Sequence, residues 1–325
     1  MRHFCLLILL AATTASTYCQ PRTFLAKYKG DRQAAVSYTF DDGLLDQYTL
    51  LFPVLKELGL KCSFCVNGNT INRYERMIAT GETTDSLVIE KPRMTWAMIR
   101  EMSNDGQEMT SHGWAHTNVT KIDGEELRYE LEHNDTVIYE HTGIFPRTFF
   151  YPGNSKNDEK VRICERGRVG SRTRQVSIGS KRSDEWLHNW LTELIDKREW
   201  GIGMTHGIAS GYDHFSDPQI LFDHLREAAS MQDRIWIDTF HNICAYVKER
   251  DAVTIFEKTK GRTIVLTPDN PLDHDLFNVP LTLTVKGSIQ KAKQDGKPLP
   301  MTHLNGKTLL DINPNGGKIH IKLKK

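Results

Sequence analysis

From Ala34 to about Arg250 the chain alternates short apolar, β-branched runs with longer stretches whose apolar residues recur every three or four positions. The strand-like runs fall near 34–40, 61–66, 107–111, 147–152, 168–172, 201–206 and 234–239. Between them lie helical faces such as Leu50, Leu51, Val54, Leu55 and Leu58, or Trp96, Ile99 and Met102 behind a Thr95 N-cap. About seven such units restrict the fold to the α/β class with a parallel sheet, either a closed or distorted (β/α) barrel or an open doubly wound sheet. In both, function gathers where the strands end at their carboxyl side. Arg73 to Arg93 has no strong period and reads as an inserted loop near that mouth.

Two of those strand ends carry chemistry. The run Ala34–Tyr38 leads into Thr39-Phe40-Asp41-Asp42-Gly43, where two adjacent carboxylates meet a residue that lets the backbone turn. Neighbouring acids are costly unless something separates their protonation states, and a bound cation does so. The run Gln107–Ser111 leads into Ser111-His112-Gly113-Trp114-Ala115-His116. On a helical turn, the i and i+4 spacing of His112 and His116 would put both imidazoles on one side, about 5–6 Å apart at Cβ. Asp42, His112 and His116 would then offer two nitrogens and one oxygen and leave a coordination position open.

These two stretches resemble the first two motifs of the polysaccharide deacetylase family, the NodB-homology fold of carbohydrate esterase family 4, over roughly residues 30–250. The resemblance implies a distorted (β/α) barrel and one divalent ion held by Asp42, His112 and His116, with zinc expected and cobalt or nickel as alternatives. It implies Asp41 as general base. Thr148-Phe149-Phe150-Tyr151-Pro152-Gly153 resembles the third motif, so the Gly153 N–H is the oxyanion-hole candidate, and Tyr151 and Pro152 are candidates for substrate contact. Gly201–Gly207 resembles the last motif, with His206 protonating the leaving group. One departure stands out: many members carry an arginine where this chain has Phe150, leaving Arg147 and Arg172 as candidate partners of Asp41. For the Asp-and-Trp element that tunes the histidine there are two candidates, Asp184 with Trp186 and Asp196 with Trp200. Asp46 is also close in sequence to the first motif.

The remainder of the chain frames this core. Residues 1–20 read as a secretory signal: Arg2 and His3, the apolar run Phe4–Ala12, then small residues Thr13–Ser16. That run is too short to span a bilayer, and Tyr18 before Cys19 is bulky for a lipoprotein signal. A secreted or periplasmic location is therefore expected. Cys62 and Cys65 sit in one strand-like run on opposite faces and lack a second pair, so Cys62, Cys65, Cys164 and Cys244 read as free thiols. A net charge of +1 argues against a broad nucleic-acid-binding face. After about Arg250 short alternations at 263–267, 281–285 and 319–323 are separated by Asp295-Gly296, Asn305-Gly306 and Pro314-Asn315-Gly316-Gly317. They predict a small antiparallel β-unit over 251–325, a structural cap more readily than a carbohydrate-binding accessory, after a catalytic domain over 21–250.

The expected activity is that of an exported metal-dependent hydrolase removing acetyl groups from a poly- or oligosaccharide of N-acetylated amino sugars, acting on carbon–nitrogen bonds other than peptide bonds. The alternatives are an O-acetyl esterase on acetylated xylan or a similar glycan, and a catalytically impaired glycan-binding protein.

Overall fold

The computed structural model describes residues 22–81, 91–180 and 182–324. The signal-like stretch 1–20, with Cys19, lies outside the described residues. The first strand, β1 (Thr23–Leu25), is followed by β2 (Ala34–Phe40), which is buried along its whole length. Around β2 run β3 (Ser63–Val66), β4 (Glu108–Ser111), β5 (Thr148–Phe150), β6 (Gly170–Arg172), β7 (Val176–Ser177), β8 (Trp200–Thr205) and β9 (Ile235–Ile237). All their pairings are parallel, in the order β6-β5-β4-β3-β2-β8-β7, with β9 pairing the first half of β2. The sheet curls but stays open between β6 and β7, which makes it a distorted barrel. The strand beyond the expected seven is β7, whose two residues are too few to show a period.

Helices cover the outside of the sheet and bury the faces that the periodicity marks. Trp96–Asn104 buries Trp96, Ile99 and Met102, and the Thr95 hydroxyl accepts the Met98 N–H at its start. Inside this layer Phe40 stacks on Phe64 at 5.1 Å between centroids, worth about 0.5–1.5 kcal/mol beyond area burial. The expectation of a loop from Arg73 is corrected in part. Gly68–Thr80 is a helix that ends on Gly81 in the left-handed region. Only Gly68 and Ile71 on it are buried, so its apolar stripe is too thin to read from sequence. Tertiary bonds hold it instead: Asn72 Oδ1 accepts the Trp96 indole N–H at 2.7 Å, and Glu75 accepts the Trp96 amide at 2.7 Å.

Beyond Ala252 the chain forms eight further strands: β10 (Thr254–Lys260), β11 (Thr263–Asp269), β12 (Leu281–Lys286), β13 (Ile289–Gln294), β14 (Lys297–Pro298), β15 (Thr302–Leu304), β16 (Lys307–Ile312) and β17 (Ile319–Leu323). They make two antiparallel sheets, β1-β12-β16-β15 and β10-β11-β17-β13-β14. Asp295-Gly296 and Asn305-Gly306 all have positive φ, so these dipeptides make the tight two-residue turns their sequence signals. Leu283, Val285 and Leu310 of one sheet share a core with Ile264, Ile319 and Ile321 of the other. That core continues into Ala35, Trp236, Ile243 and Tyr246 of the barrel. The sandwich thus closes the barrel near the starts of β2 and β9, away from the strand ends where Asp41 and His112 lie.

Candidate active site

Asp41 and Asp42 follow directly on β2. Asp41 is buried, and its amide donates to the Thr205 carbonyl at 3.0 Å, which ties the end of β2 to the end of β8. Its two carboxylate oxygens accept from the two Nη atoms of Arg172, at 2.7 and 2.5 Å. Arg172 also donates to the Thr39 hydroxyl at 2.7 Å, and its guanidinium lies 4.2 Å over the Phe150 ring. Of the two candidate partners, Arg172 is the one that reaches Asp41; Arg147 lies on the surface at the opposite end of β5, over Phe145. Phe150 and Arg172 are register partners on β5 and β6, so the cation reaches Asp41 from the neighbouring strand. Burial alone would raise the Asp41 carboxyl, but the charge and hydrogen bonds of Arg172, with smaller help from His112 and His206, hold it well below the usual carboxylate range.

Asp42 adopts φ 75°, in the left-handed region. Its Oδ1 lies 3.6 Å from His112 Nε2 and 3.5 Å from His116 Nε2 and is buried without a hydrogen-bond donor. Arg93 was not anticipated from the sequence: it donates to the Asp42 carbonyl at 2.7 Å and lies 3.7 Å from its carboxylate. His112 Nδ1 is 2.8 Å from the Phe150 carbonyl. It donates there, which fixes the tautomer and leaves the Nε2 lone pair facing Asp42. Burial pushes the His112 imidazolium down to about 4, so the ring is neutral at pH 7.

The two histidines are close, with ring centroids 4.9 Å apart, but not through a helical turn. Residues 112–118 are irregular, and left-handed backbone at Gly113 (φ 75°) and His116 (φ 60°) folds the segment back on itself. A side chain at Gly113 would strike Glu130, whose carboxylate would lie 2.9 Å from the added Cβ. Buried Glu130 accepts the Ala115 amide at 3.0 Å and the Thr117 hydroxyl at 3.0 Å, and Asn67 donates to the His112 carbonyl at 2.6 Å.

Asp42, His112 and His116 therefore present ligand atoms within 4.8 Å of one another, an N₂O donor set with a partnerless acceptor at its centre and one imidazole oriented from behind. These features fit one divalent ion with further positions open. Asp41, Cys65 and His112 form a second close group, but both Asp41 oxygens are taken by Arg172. Cys62, Cys65, Cys164 and Cys244 are all free and buried.

His206 follows β8, near enough to Asp41 and Asp42 to lower both carboxyls. Its Nδ1 is buried without a partner, and its ring stands edge-on to Tyr212 with centroids 4.9 Å apart. Neither Asp-and-Trp candidate pair supplies a hydrogen-bond partner to that buried Nδ1: Trp186 stacks on Trp190 at the start of a helix, and Trp200 opens β8, at the far end of the strand from His206. Asp46 acts on the loop beyond His206 instead, accepting the amides of Ile208, Ala209 and Ser210 at 2.8, 2.9 and 3.2 Å. Gly153 (φ 59°) lies exposed just beyond β5, and Pro152 packs beside Gly113. Tyr151 requires a correction as a side-chain contact for substrate. Its ring packs with Phe149 in the layer between sheet and helices, and its hydroxyl donates to Ser171 Oγ at 2.8 Å. On a strand, neighbours alternate faces, so Phe150 facing inward turns Tyr151 outward.

Comparison with known proteins agrees with this arrangement. The family model described as polysaccharide deacetylase matches residues 28–167. A candidate polysaccharide deacetylase of Bacillus subtilis, YxkH, is 24% identical over 146 residues, covering 44% of this chain and 45% of that protein. The peptidoglycan-N-acetylglucosamine deacetylase PgdA of Listeria monocytogenes is 24% identical over 132 residues, covering 40% of this chain and 24% of the relative. The chain thus spans less than half the length of these curated relatives. A solved structure of a candidate polysaccharide deacetylase from Mycobacterium smegmatis superposes with a TM-score of 0.53 at 15% identity, covering 70% of this chain and 94% of that one, a likeness of fold. The matched segment contains Asp41, Asp42, His112, His116 and Gly153 and stops before Arg172 and His206, which the folding of the chain brings to the same mouth. The segment 28–167 thus matches the polysaccharide deacetylase family model, and the curled parallel sheet that contains it has the fold of a solved polysaccharide deacetylase structure.

Proposed function

We propose that the protein is an exported, metal-dependent carbohydrate deacetylase that hydrolyses the acetamide of N-acetylated amino sugars in a poly- or oligosaccharide. The observation that carries this reading is the pairing, at one mouth, of a buried carboxylate clamped by Arg172 with the Asp42, His112 and His116 donor set. The name of the Listeria relative, a peptidoglycan-N-acetylglucosamine deacetylase, supports the amide bond over the ester. The apolar run Phe4–Ala12 supports export to where such glycans lie. No helix among the described residues is long and apolar enough to cross a membrane.

A divalent ion, zinc in this proposal, held by Asp42, His112 and His116 would polarise the acetyl carbonyl and acidify water, so that a weakly basic carboxylate suffices as base. Arg172 keeps Asp41 ionised and its two oxygens fixed, so Asp41 takes the proton of the attacking water. The Gly153 N–H stabilises the carbonyl oxygen as it becomes negative. As the carbon–nitrogen bond breaks, His206 gives a proton to the departing amine. Its Nδ1 is the buried nitrogen, which leaves Nε2 for that transfer.

Phe150 in place of the arginine many members carry would favour the impaired glycan-binding protein if Asp41 lacked a cation, and Arg172 beside Asp41 supplies one. Asp41→Asn separates the two readings. Acetate release from N-acetylated chito-oligosaccharides should fall by about 10²–10⁴-fold while calorimetric glycan binding survives. Unchanged release in Asp41→Asn would contradict the assignment of the base.

A further inference from the structure

Tyr212 has no part in the reaction described above, yet the structure fixes it beside the reacting groups. The residue is 68% exposed. A loose surface loop would explain such exposure, but the loop from Gly207 to Asp213 is held at both ends. The Asp213 carboxylate accepts from the hydroxyls of Ser177 and Ser180, each at 2.8 Å, and its carbonyl accepts the Thr205 hydroxyl at 2.6 Å. The Gly207 amide donates to the Tyr212 carbonyl at 3.2 Å, while Asp46 gathers three further amides of the loop. Backbone packs so closely that a Cβ on Gly207 would lie 1.7 Å from the Ser210 carbonyl oxygen.

The ring this mount displays stands at 89° to the His206 imidazole. An aromatic ring left in water forgoes the stabilisation of burial, and nothing in the core gains from its position. Aromatic faces at ligand clefts meet apolar surfaces of the ligand and leave polar groups to fix its orientation. A pyranose has such a surface in its axial C–H groups.

We propose that Tyr212 is the stacking platform for the sugar ring that carries the scissile acetamide. The proposal rests on the deacetylase reading for the identity of that sugar. Stacking there places the leaving nitrogen beside His206, against whose imidazole the same ring packs in a T-shaped contact. The phenol hydroxyl has no role in it, so the ring alone is required.

The test compares Tyr212→Ala and Tyr212→Phe in the metal-loaded full chain. The substrates are N-acetylated chitotetraose and 4-nitrophenyl acetate, an ester without a sugar. Tyr212→Ala should lower kcat/KM for the tetrasaccharide about tenfold more than for the ester, mainly through KM, and Tyr212→Phe should stay near wild type. Equal losses on the two substrates, or no loss with the tetrasaccharide, would overturn the proposal. Calorimetric binding of chitotetraose to the Asp41→Asn protein, with and without Tyr212→Ala, separates the two readings. If wild type releases no acetate yet Tyr212→Ala weakens binding, the deacetylase reading fails and the stacking site stands. Unweakened binding overturns the stacking site whether or not the enzyme turns over.

Discussion

The clamp of Arg172 on Asp41 bears most weight at the scale of single residues. Both groups are nearly inaccessible, at 2% and 3% exposure, so removing one leaves the other charged and uncompensated. Arg172→Met should destabilise the fold by about 3–5 kcal/mol and abolish activity. Arg172→Lys keeps the charge but loses the parallel pair of hydrogen bonds, and kcat/KM should fall about 10- to 100-fold with a smaller drop in melting temperature. Thermal denaturation and acetate release on the same preparations check both; a Lys variant with full activity would show that charge alone suffices. The strand-end positions of Asp41, Asp42, His112 and His206 were legible in the sequence because each follows a recognisable apolar run, whereas His116 lies in the irregular segment beyond β4. The choice of Arg172 over Arg147 was not, because it depends on β5–β6 register and on which side of the sheet a residue faces. Arg93 gave no local signal at all.

At the scale of elements, the segment that carries His112 and His116 owes its shape to tertiary anchors. The i and i+4 spacing brought His112 and His116 together for a different reason from the one it suggests, since the segment turns through left-handed residues against Glu130. Glu130→Ala removes the acceptor for Ala115 and Thr117 without touching a ligand atom. Zinc affinity, measured by chelator competition, should fall about 10- to 100-fold. An unchanged affinity would mean that Asn67 and the Gly113 backbone hold the loop alone. Helix Gly68–Thr80 and strand β7 escaped the sequence reading on similar grounds, the first because its buried stripe is thin and the second because two residues carry no period.

For the whole molecule, the barrel and the sandwich share a core, and the first strand among the described residues, β1, is an edge of the C-terminal β1-β12-β16-β15 sheet. Local pattern could not reveal that pairing, because Thr23–Leu25 and Leu283–Val285 lie at opposite ends of the sequence. Glu249 lies at this junction, accepting from Asn270 Nδ2 at 2.9 Å and from the Val279 amide at 3.0 Å. Burial raises its carboxyl from the ordinary 4.5 to about 7, against the pull of those two donors. The folded state thus holds this proton more tightly than the unfolded chain. Stability from this group is complete below pH 4.5 and is lost as pH rises through about 7. Urea denaturation at pH 5 and pH 8 should show that loss in wild type and a smaller one in Glu249→Gln, which cannot titrate. Equal pH dependence in the two proteins would place the junction's sensitivity elsewhere.

Acetate release from N-acetylated chito-oligosaccharides by chelator-stripped protein, before and after stoichiometric zinc, tests the central claim most directly when His112→Ala is run in parallel. Release that appears only with zinc in wild type, and in neither state of a folded His112→Ala, is the predicted result. Release that survives stripping, or that zinc restores in His112→Ala, would contradict the assignment of Asp42, His112 and His116 as the metal centre.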